Sequence, residues 1–203
     1  MRSEAPPLLP VLRSRHQADL LTVLLLHPDQ EYTLTELAHI VMTPLTTVQR
    51  EVVRLVEAGV ISERRIGRSR LLQANQRSRY LRPLTELMTI AFGPHVVVGE
   101  EFTGIAEADA VAIYGSWAAR YRGTPGTAPN DVDVLVIGRP DRADVYAAAE
   151  RAEQRLSLPV NPTVCGPQRW KDARDAFVQQ VRAAPLVWVR GADKYDDKRD
   201  KVA

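Results

Sequence analysis

Asp131 and Asp133, two acids separated by a single residue, are the residues of this 203-residue chain whose type and spacing most directly indicate chemistry. Side chains alternate along a strand, so a strand over residues 131–137 would present both carboxylates on one face. Carboxylates this close repel each other unless a cation lies between them. Mg²⁺ held by one or two carboxylates together with nucleotide phosphates fits such a pair. The sequence therefore predicts a divalent-cation site at the start of a strand.

A Gly-Ser pair lies upstream of the carboxylates. Residues 110–114 are apolar and predict a short buried strand that ends at Gly115 and Ser116. Such a turn at the start of a helix leaves backbone N–H groups free to hold phosphate. We therefore expect these two residues to bind the phosphates of a nucleotide whose metal lies on the carboxylate pair. The Gly/Pro-rich stretch 123–129 is either a loop that folds over the ligand or plain connecting chain.

The order strand, Gly-Ser, helix and Asp-x-Asp strand resembles the minimal, DNA polymerase β-like members of the nucleotidyltransferase superfamily. Residues 115–120 and 130–133 carry the resemblance, which extends over about the last half of the chain. It implies an α/β fold over residues 96–203, with Mg²⁺ and a nucleoside triphosphate as ligands. It also implies that Asp131 and Asp133 are catalytic if the protein is active. The alternative is a turn followed by two solvated acids at a strand end.

The family normally has a third carboxylate on a later strand, which acts as or assists the base that activates the attacking hydroxyl. After a predicted helix over residues 141–158, that strand falls on residues 159–164, and its inward position is Asn161. An amide carries no charge and accepts no proton at neutral pH, whereas two-metal phosphoryl transfer needs clustered negative charge. The sequence therefore predicts binding of a nucleotide or a single metal, with transfer absent or very slow. Acids on predicted helices are the candidates for a displaced carboxylate: Glu153, Asp172 and Asp175.

Composition gives the class of protein but not its function. Hydrophobic residues make up 45% of the chain and charged residues 26%, as in an ordinary soluble globular protein. A single cysteine, Cys165, excludes an internal disulfide framework, and the scattered histidines have no cysteine partners, so we expect no zinc. The N-terminus does not resemble a signal peptide, and the longest apolar run is far shorter than a membrane span. We therefore expect a cytoplasmic protein.

Positive charge is concentrated in one stretch although the net charge is only +2. Residues 49–82 contain nine arginines against three acids. A basic cluster on a nearly neutral protein indicates a polyanionic partner, and the alternative is a solvated charged face.

The elements around this basic stretch are predicted from helix start and stop signals. An apolar helix is expected over residues 11–27, and Thr33 with Glu36 has the spacing of a capping box at the start of a second helix. A third helix is expected with Thr43 as its N-cap and Pro44 at its first position, ending before Gly59.

The third helix has two different faces at 100° per residue. The core-facing stripe is predicted to contain Leu45, Val48, Val52, Leu55 and Val56. The opposite side carries Thr46, Thr47, Arg50 and Arg54, with Gln49 at its margin. Short hydroxyls followed by arginines suit a helix that lies in the major groove of DNA.

A β-hairpin follows the third helix, with strands over residues 60–66 and 70–74 and Gly67 in the turn. Its basic residues, expected to contact the DNA backbone, are Arg64, Arg65, Arg68 and Arg70. Three helices followed by this hairpin resemble winged helix-turn-helix regulators of the ArsR/MarR type over about residues 10–75. The resemblance implies transcription regulation through double-stranded DNA, with residues 1–78 as the DNA-binding domain.

A linking helix is predicted between the two halves, within residues 79–95. Its apolar side is expected to be buried on the second domain or against a second copy of the chain, and we favour a homodimer. That side contains Leu81, Leu84, Leu87, Met88 and Ala91. The C-terminal part adds a helix over residues 167–183 and a strand over 185–189.

The sequence therefore predicts a two-domain α/β protein, an N-terminal winged helix-turn-helix joined to a C-terminal minimal nucleotidyltransferase fold. The main functional hypothesis is a DNA-binding regulator whose catalytically degenerate second domain either binds a nucleotide or serves as a scaffold, without efficient transfer. One alternative is an active nucleotidyltransferase that modifies a protein or a small molecule. Another is an antitoxin-like regulator that binds a toxin-like protein partner.

Overall fold

The computed structural model describes residues 12–67, 69–126 and 129–196, and the chain divides into two compact units between Gly93 and Pro94. The described residues form a mixed α/β structure with helices and two β-sheets. No helix among these residues is long and apolar enough to cross a membrane.

The first unit has the element order of a winged helix-turn-helix. Its elements are α1 (Arg15–Leu26), β1 (Tyr32–Thr33), α2 (Leu34–Ile40), α3 (Leu45–Glu57), β2 (Ile61–Ile66), β3 (Ser69–Ala74) and α4 (Leu81–Phe92). The three strands form an antiparallel sheet in the order β1-β3-β2, in which β2 and β3 are the predicted hairpin. The first helix begins at Arg15 rather than at the expected residue 11, because Ser14 caps it by accepting a hydrogen bond from the Gln17 N–H.

One of the two predicted helix caps is confirmed and the other is wrong. Thr33 and Glu36 form the reciprocal capping box at the start of α2. Thr43 does not cap α3, because its hydroxyl is bonded to His16 Nδ1 at 2.8 Å and to the Val41 carbonyl at 2.9 Å. Pro44 is the N-cap instead. Gly59, with φ +68°, follows the end of α3 as expected.

Helix α4 contributes to the core of the first unit. Met88 is fully buried in this core, and Leu81 and Leu84 pack against it. This part of the apolar side of α4 is therefore covered by the first unit itself, and not by the second domain or a second copy of the chain as predicted. Leu87 was expected on the same side, but its side chain is 43% exposed. Ile90, which was not part of that prediction, is 61% exposed. These two side chains lie away from the core because Met88 and Ala91 occupy the inward positions.

The second unit is a four-stranded sheet with helices on both faces. Its elements are α5 (Pro94–Phe102), β4 (Ala108–Tyr114), α6 (Gly115–Tyr121), β5 (Val132–Gly138), α7 (Arg142–Leu156), β6 (Val160–Cys165), α8 (Pro167–Asp172), α9 (Ala176–Ala183), β7 (Val187–Arg190) and α10 (Ala192–Tyr195). The strand order is β6-β5-β4-β7, with β5 and β6 parallel and β4 antiparallel to both of its neighbours. One hydrophobic cluster contains side chains of α5, α6 and α7, and the other contains side chains of α8 and α9.

The predicted helix over residues 167–183 is in fact two helices. Ala173 adopts the left-handed conformation at φ +46° and ends α8. Asp175 then caps α9 by accepting a hydrogen bond from the Val178 N–H, and Arg169 pairs with the same carboxylate. Asp is a favoured N-cap residue, so the local capping preference overrides the helical continuity of the sequence.

Candidate functional sites

The sheet of the second unit brings four polar side chains together at one end. Asp133 on β5 lies opposite Tyr114 on β4 and opposite Asn161 on β6. Residues directly opposite each other on neighbouring strands project from the same face. Asp131 precedes β5 by one residue and reaches the same group, because its carboxylate accepts a hydrogen bond from Asn161. The two carboxylates are therefore held on the face on which α8 and α9 pack.

Asn161 contacts both carboxylates. Its Nδ2 donates to Asp131 Oδ2 at 3.0 Å and lies 3.5 Å from Asp133 Oδ1. The neighbouring inward position on β6, Thr163, is hydrogen bonded to the Tyr114 hydroxyl at 3.2 Å. The position at which a third acid was expected from the sequence is thus filled by an amide that acts as a donor.

Gly115 is constrained by both its backbone and its surroundings. Its φ of +74° is in the left-handed region that favours glycine. A Cβ at this position would lie 2.4 Å from Asp133 Oδ2, so no other residue fits without displacing the carboxylate. The Gly-Ser turn and the Asp-x-Asp segment, some 18 residues apart in sequence, are therefore in direct contact.

A cavity of about 580 Å³ opens beside Asp131. This volume lies in the range of small-molecule binding pockets, roughly 300–1,000 Å³. The cavity is lined by Ser116, Arg120, Pro129, Asn130, Asp131, Pro159 and Asn161. Arg120 was missed in the sequence analysis, although its position one helical turn after Ser116 on α6 is the signal that places both side chains on the same side.

Burial and neighbouring negative charge both act on the titratable groups of the site. Burial raises the pKa of Asp133, repulsion from Asp131 raises it further, and the hydrogen bond from Asn161 partly opposes both effects. Burial also raises the pKa of Tyr114; the hydrogen bond with Thr163 opposes this effect, and the two carboxylates add to it. Carboxylate oxygens are ligands of the kind that Mg²⁺ prefers, so Asp131 and Asp133 fit one divalent cation.

The three candidate displaced carboxylates have other partners. Glu153 accepts a hydrogen bond from the Val160 N–H at 3.3 Å. Asp172 accepts one from Gln168, and Asp175 caps α9 and pairs with Arg169. Within the described ranges no group of three His, Cys, Asp or Glu residues is placed to hold a metal ion.

In the first unit, the polar face of α3 is open to solvent. Thr46, Gln49 and Arg50 are exposed and Thr47 is half-buried. Arg50 Nε donates to the Thr46 carbonyl on its own helix. Of the predicted core stripe, Val48, Val52 and Leu55 are buried and Val56 is partly buried, but Leu45 is 46% exposed because it is the first residue of α3.

Glu51 is a buried acid on α3 that the sequence analysis did not identify. Its side chain is only 10% exposed, and Oε1 accepts from Arg54 at 2.9 Å and from Arg13 at 3.3 Å. Its Oε2 has no hydrogen-bond partner among the described residues. Arg54, an expected DNA contact, is thus already paired within its own helix.

The arginines of the hairpin differ in whether they already pair with an acid of the protein. Arg64 pairs with Glu31, and Arg70 pairs with Glu63. Arg65 lies directly opposite Arg70 and is exposed, with no ion pair to any described residue. Arg68, also an expected contact, lies outside the described residues.

Comparison with known proteins adds little. Neither a protein-family model nor a curated protein matches the chain. Among solved structures, the chain is similar to the reduced form of MarR from E. coli, with 19% identity over 47% of this chain and 78% of that one, and a TM-score of 0.30. A likeness this distant supports no functional argument, so the functional case rests on the residues themselves.

Proposed function

We propose that this protein is a DNA-binding transcriptional regulator whose second unit binds a nucleoside triphosphate with Mg²⁺ and transfers a nucleotidyl group slowly or not at all. The observation that carries the proposal is the solvent-open face of α3, with Thr46, Gln49 and Arg50 on the third helix of a winged helix-turn-helix. Arg50 makes no ion pair with a described acid, whereas Arg54 on the same face is paired with Glu51.

The DNA-binding part of the proposal assigns separate tasks to the helix and the hairpin. A recognition helix reads base edges in the major groove, where arginine pairs with guanine and short polar side chains reach neighbouring bases. Arg50 and Gln49 are suited to this task. Arg65 on the hairpin is suited to a backbone phosphate, which positions the protein without reading sequence.

The nucleotide-binding part rests on the resemblance to nucleotidyltransferases and on the fit of the cavity residues. Asp131 and Asp133 would hold the cation. Ser116 and the backbone at Gly115 would contact phosphate, and Arg120 supplies positive charge to the same cavity. When bound, Mg²⁺ would neutralise phosphate charge and orient the triphosphate.

Catalysis is the part that the residues do not support. The amide of Asn161 cannot accept the proton of an attacking hydroxyl. Glu153, Asp172 and Asp175 are each engaged in other hydrogen bonds. Asp131, Asp133, Ser116 and Arg120 would thus bind and orient a nucleotide, and no third acid among the described residues is placed to activate a nucleophile.

We propose further that the regulator is a homodimer. The exposed side chains of Leu87 and Ile90 on α4 support this, because large apolar side chains next to each other on one helix are typical of interfaces. Replacement of both by Glu should convert a dimer to a monomer in size-exclusion chromatography with light scattering, and a wild-type monomer would contradict the proposal.

DNA binding is tested with a duplex operator selected from a random library. Arg50→Ala should weaken binding to the operator by about 5- to 150-fold, the value of one good base contact. Arg142→Ala, which removes one exposed charge from the second unit, is the matched control and should have little effect. Equal losses in the two variants would mean that α3 does not read the DNA.

The hairpin is tested through the salt dependence of the same complex. Arg65→Ala should weaken binding to all duplexes alike and reduce the slope of log K against log salt by about 0.9. A sequence-dependent loss would instead assign Arg65 to base recognition.

A further inference from the structure

The side-chain amide of Asn161 lies where a cation would otherwise be needed. Asp131 and Asp133 project from one face, and Asn161 Nδ2 is 3.0 Å from an oxygen of the first and 3.5 Å from an oxygen of the second. An amide nitrogen carries two protons, so one NH₂ group can serve both carboxylates.

We propose that Asn161 acts as a built-in substitute for one cation, so that the carboxylate pair is stable without metal and accepts a single divalent ion together with its nucleotide. This inference rests on the proposed nucleotide site. It assigns to Asn161 a positioning role that is distinct from the mere absence of a catalytic acid.

The role follows from comparing the amide with the acid that the family resemblance predicts at this position. An aspartate in the same rotamer would place an oxygen about where Nδ2 lies, within 3.0 to 3.5 Å of oxygens of both partners. Three carboxylates at such distances repel strongly unless cations lie between them. The acid therefore makes the cluster dependent on metal, whereas the amide relieves that dependence.

Cation binding must then compete with this internal hydrogen bonding. For Asn161 to become a ligand, its amide has to turn so that the oxygen, rather than the NH₂ group, faces the ion. Two carboxylates and one amide also leave an octahedral ion short of ligands, which phosphate oxygens and water would complete. We therefore expect weak binding of the free ion and much tighter binding in the presence of nucleotide.

Asn161→Asp and Asn130→Asp form a matched pair of variants. Asn130 lines the same cavity and is exposed, so its replacement adds the same charge nearby, at a residue that makes no hydrogen bond to either carboxylate. Thermal unfolding of the full chain is followed with EDTA and with Mn²⁺, and bound Mn²⁺ is counted by electron paramagnetic resonance of the free ion.

In EDTA, Asn161→Asp should lower the Tm by about 2 °C or more, and Mn²⁺ should restore it, since the added charge is neutralised on binding. Asn130→Asp and the wild type should change by much less under both conditions. With ATP present, the wild type should bind one Mn²⁺ per nucleotide site and Asn161→Asp two. Equal behaviour of the two Asp variants, or two Mn²⁺ ions in the wild type, would overturn the proposal.

Asn161→Ala provides a second test that adds no charge. It removes the donor and leaves the two carboxylates facing each other, so its Tm in EDTA should be lower than that of the wild type and should rise more with Mn²⁺. No difference from the wild type would show that the amide does not hold the pair together.

Failure of the proposed function is measured separately. If the wild type fails to bind ATP with Mg²⁺ or Mn²⁺ in equilibrium dialysis, the proposed nucleotide site is wrong. The stability difference between Asn161→Asp and Asn130→Asp in EDTA still decides whether Asn161 relieves the repulsion, because that measurement contains no nucleotide.

Discussion

Replacement of Glu51 by Gln should make the protein less stable and its DNA binding tighter. Glu51 is buried on α3, and one of its oxygens holds both Arg13 and Arg54. The variant keeps the shape of the side chain and removes its charge. Arg54 is then no longer held by an acid and becomes available to DNA.

The loss of stability can be estimated from the exposure of the partners. The side chains of Arg13 and Arg54 are 54% and 48% exposed, so each remains solvated when the acid is gone, and each pair is worth about 0.5–1 kcal/mol rather than the larger value of a fully buried pair. Part of this loss is offset in the variant, because the buried Oε2 of the wild-type carboxylate has no described hydrogen-bond partner and its charge is costly. A net loss of about 1 kcal/mol would lower the Tm of a 203-residue chain by roughly 2–4 °C.

The gain in DNA affinity comes from the same ion pair. In the wild type, Arg54 must give up a contact worth about 0.5–1 kcal/mol before it can contact DNA, and removing that cost should tighten binding by about 2- to 5-fold. Glu57→Gln removes a charge from an exposed position of α3 and is the matched control. The assays are thermal unfolding and fluorescence anisotropy with a labelled operator at fixed salt.

Two results would refute this account of Glu51. If Glu51→Gln and Glu57→Gln have the same Tm and affinity, the burial of Glu51 has no consequence. If Glu51→Gln lowers both stability and affinity, Glu51 holds Arg54 in the geometry that DNA requires instead of restraining it.

Three other measurements test the second unit. Gly115→Ala should cost about 1–2 kcal/mol of unfolding free energy from the left-handed backbone alone. It should also abolish nucleotide binding, because its Cβ would meet the Asp133 carboxylate. Gly123 has a similar φ with open space around it, so Gly123→Ala is the control and should leave nucleotide binding intact. Labelled nucleoside triphosphates with Mg²⁺ or Mn²⁺ should yield little or no transfer, and robust labelling that disappears in Asp131→Asn would show that the site is active. Burial raises the pKa of Glu101, but the hydrogen bonds and charges of Arg151 and Arg155 outweigh it, so the pKa is lowered overall. This carboxylate therefore stabilises the fold above its unfolded-state pKa and loses that contribution as the pH falls through the lower folded-state pKa. Glu101→Gln should flatten the acid limb of a curve of Tm against pH, and an unchanged limb would contradict this role.

Local patterns in the sequence predict much of the fold. Thr33 and Glu36 specify a cap because both partners lie within one turn, and Gly59 ends α3 because glycine readily adopts a positive φ. Strand alternation likewise predicted that Asp131 and Asp133 share a face, and their common partner Asn161 agrees with that prediction.

The features that sequence patterns could not predict depend on residues distant in the chain. The hydroxyl of Thr43 is unavailable for capping because His16, 27 residues earlier, is bonded to it. Arg64 is paired because β1 brings Glu31 beside the hairpin. Such pairings are set by packing, which a periodicity analysis does not contain, and they decide which predicted contacts are available.

A binding site that does not consume its ligand is suited to regulation. An active transferase converts its nucleotide, whereas a site without the third acid can remain occupied in proportion to nucleotide concentration. In the proposed regulator, nucleotide can alter DNA binding only if it has different affinities for the DNA-competent and DNA-incompetent states of the chain. Linkage then requires operator DNA to change nucleotide affinity by the same factor, typically about 5- to 150-fold. Operator titrations with and without saturating ATP·Mg²⁺, and the reciprocal nucleotide titrations, should therefore shift equally. Superimposable operator curves from a protein that demonstrably binds the nucleotide would leave the second unit as a scaffold.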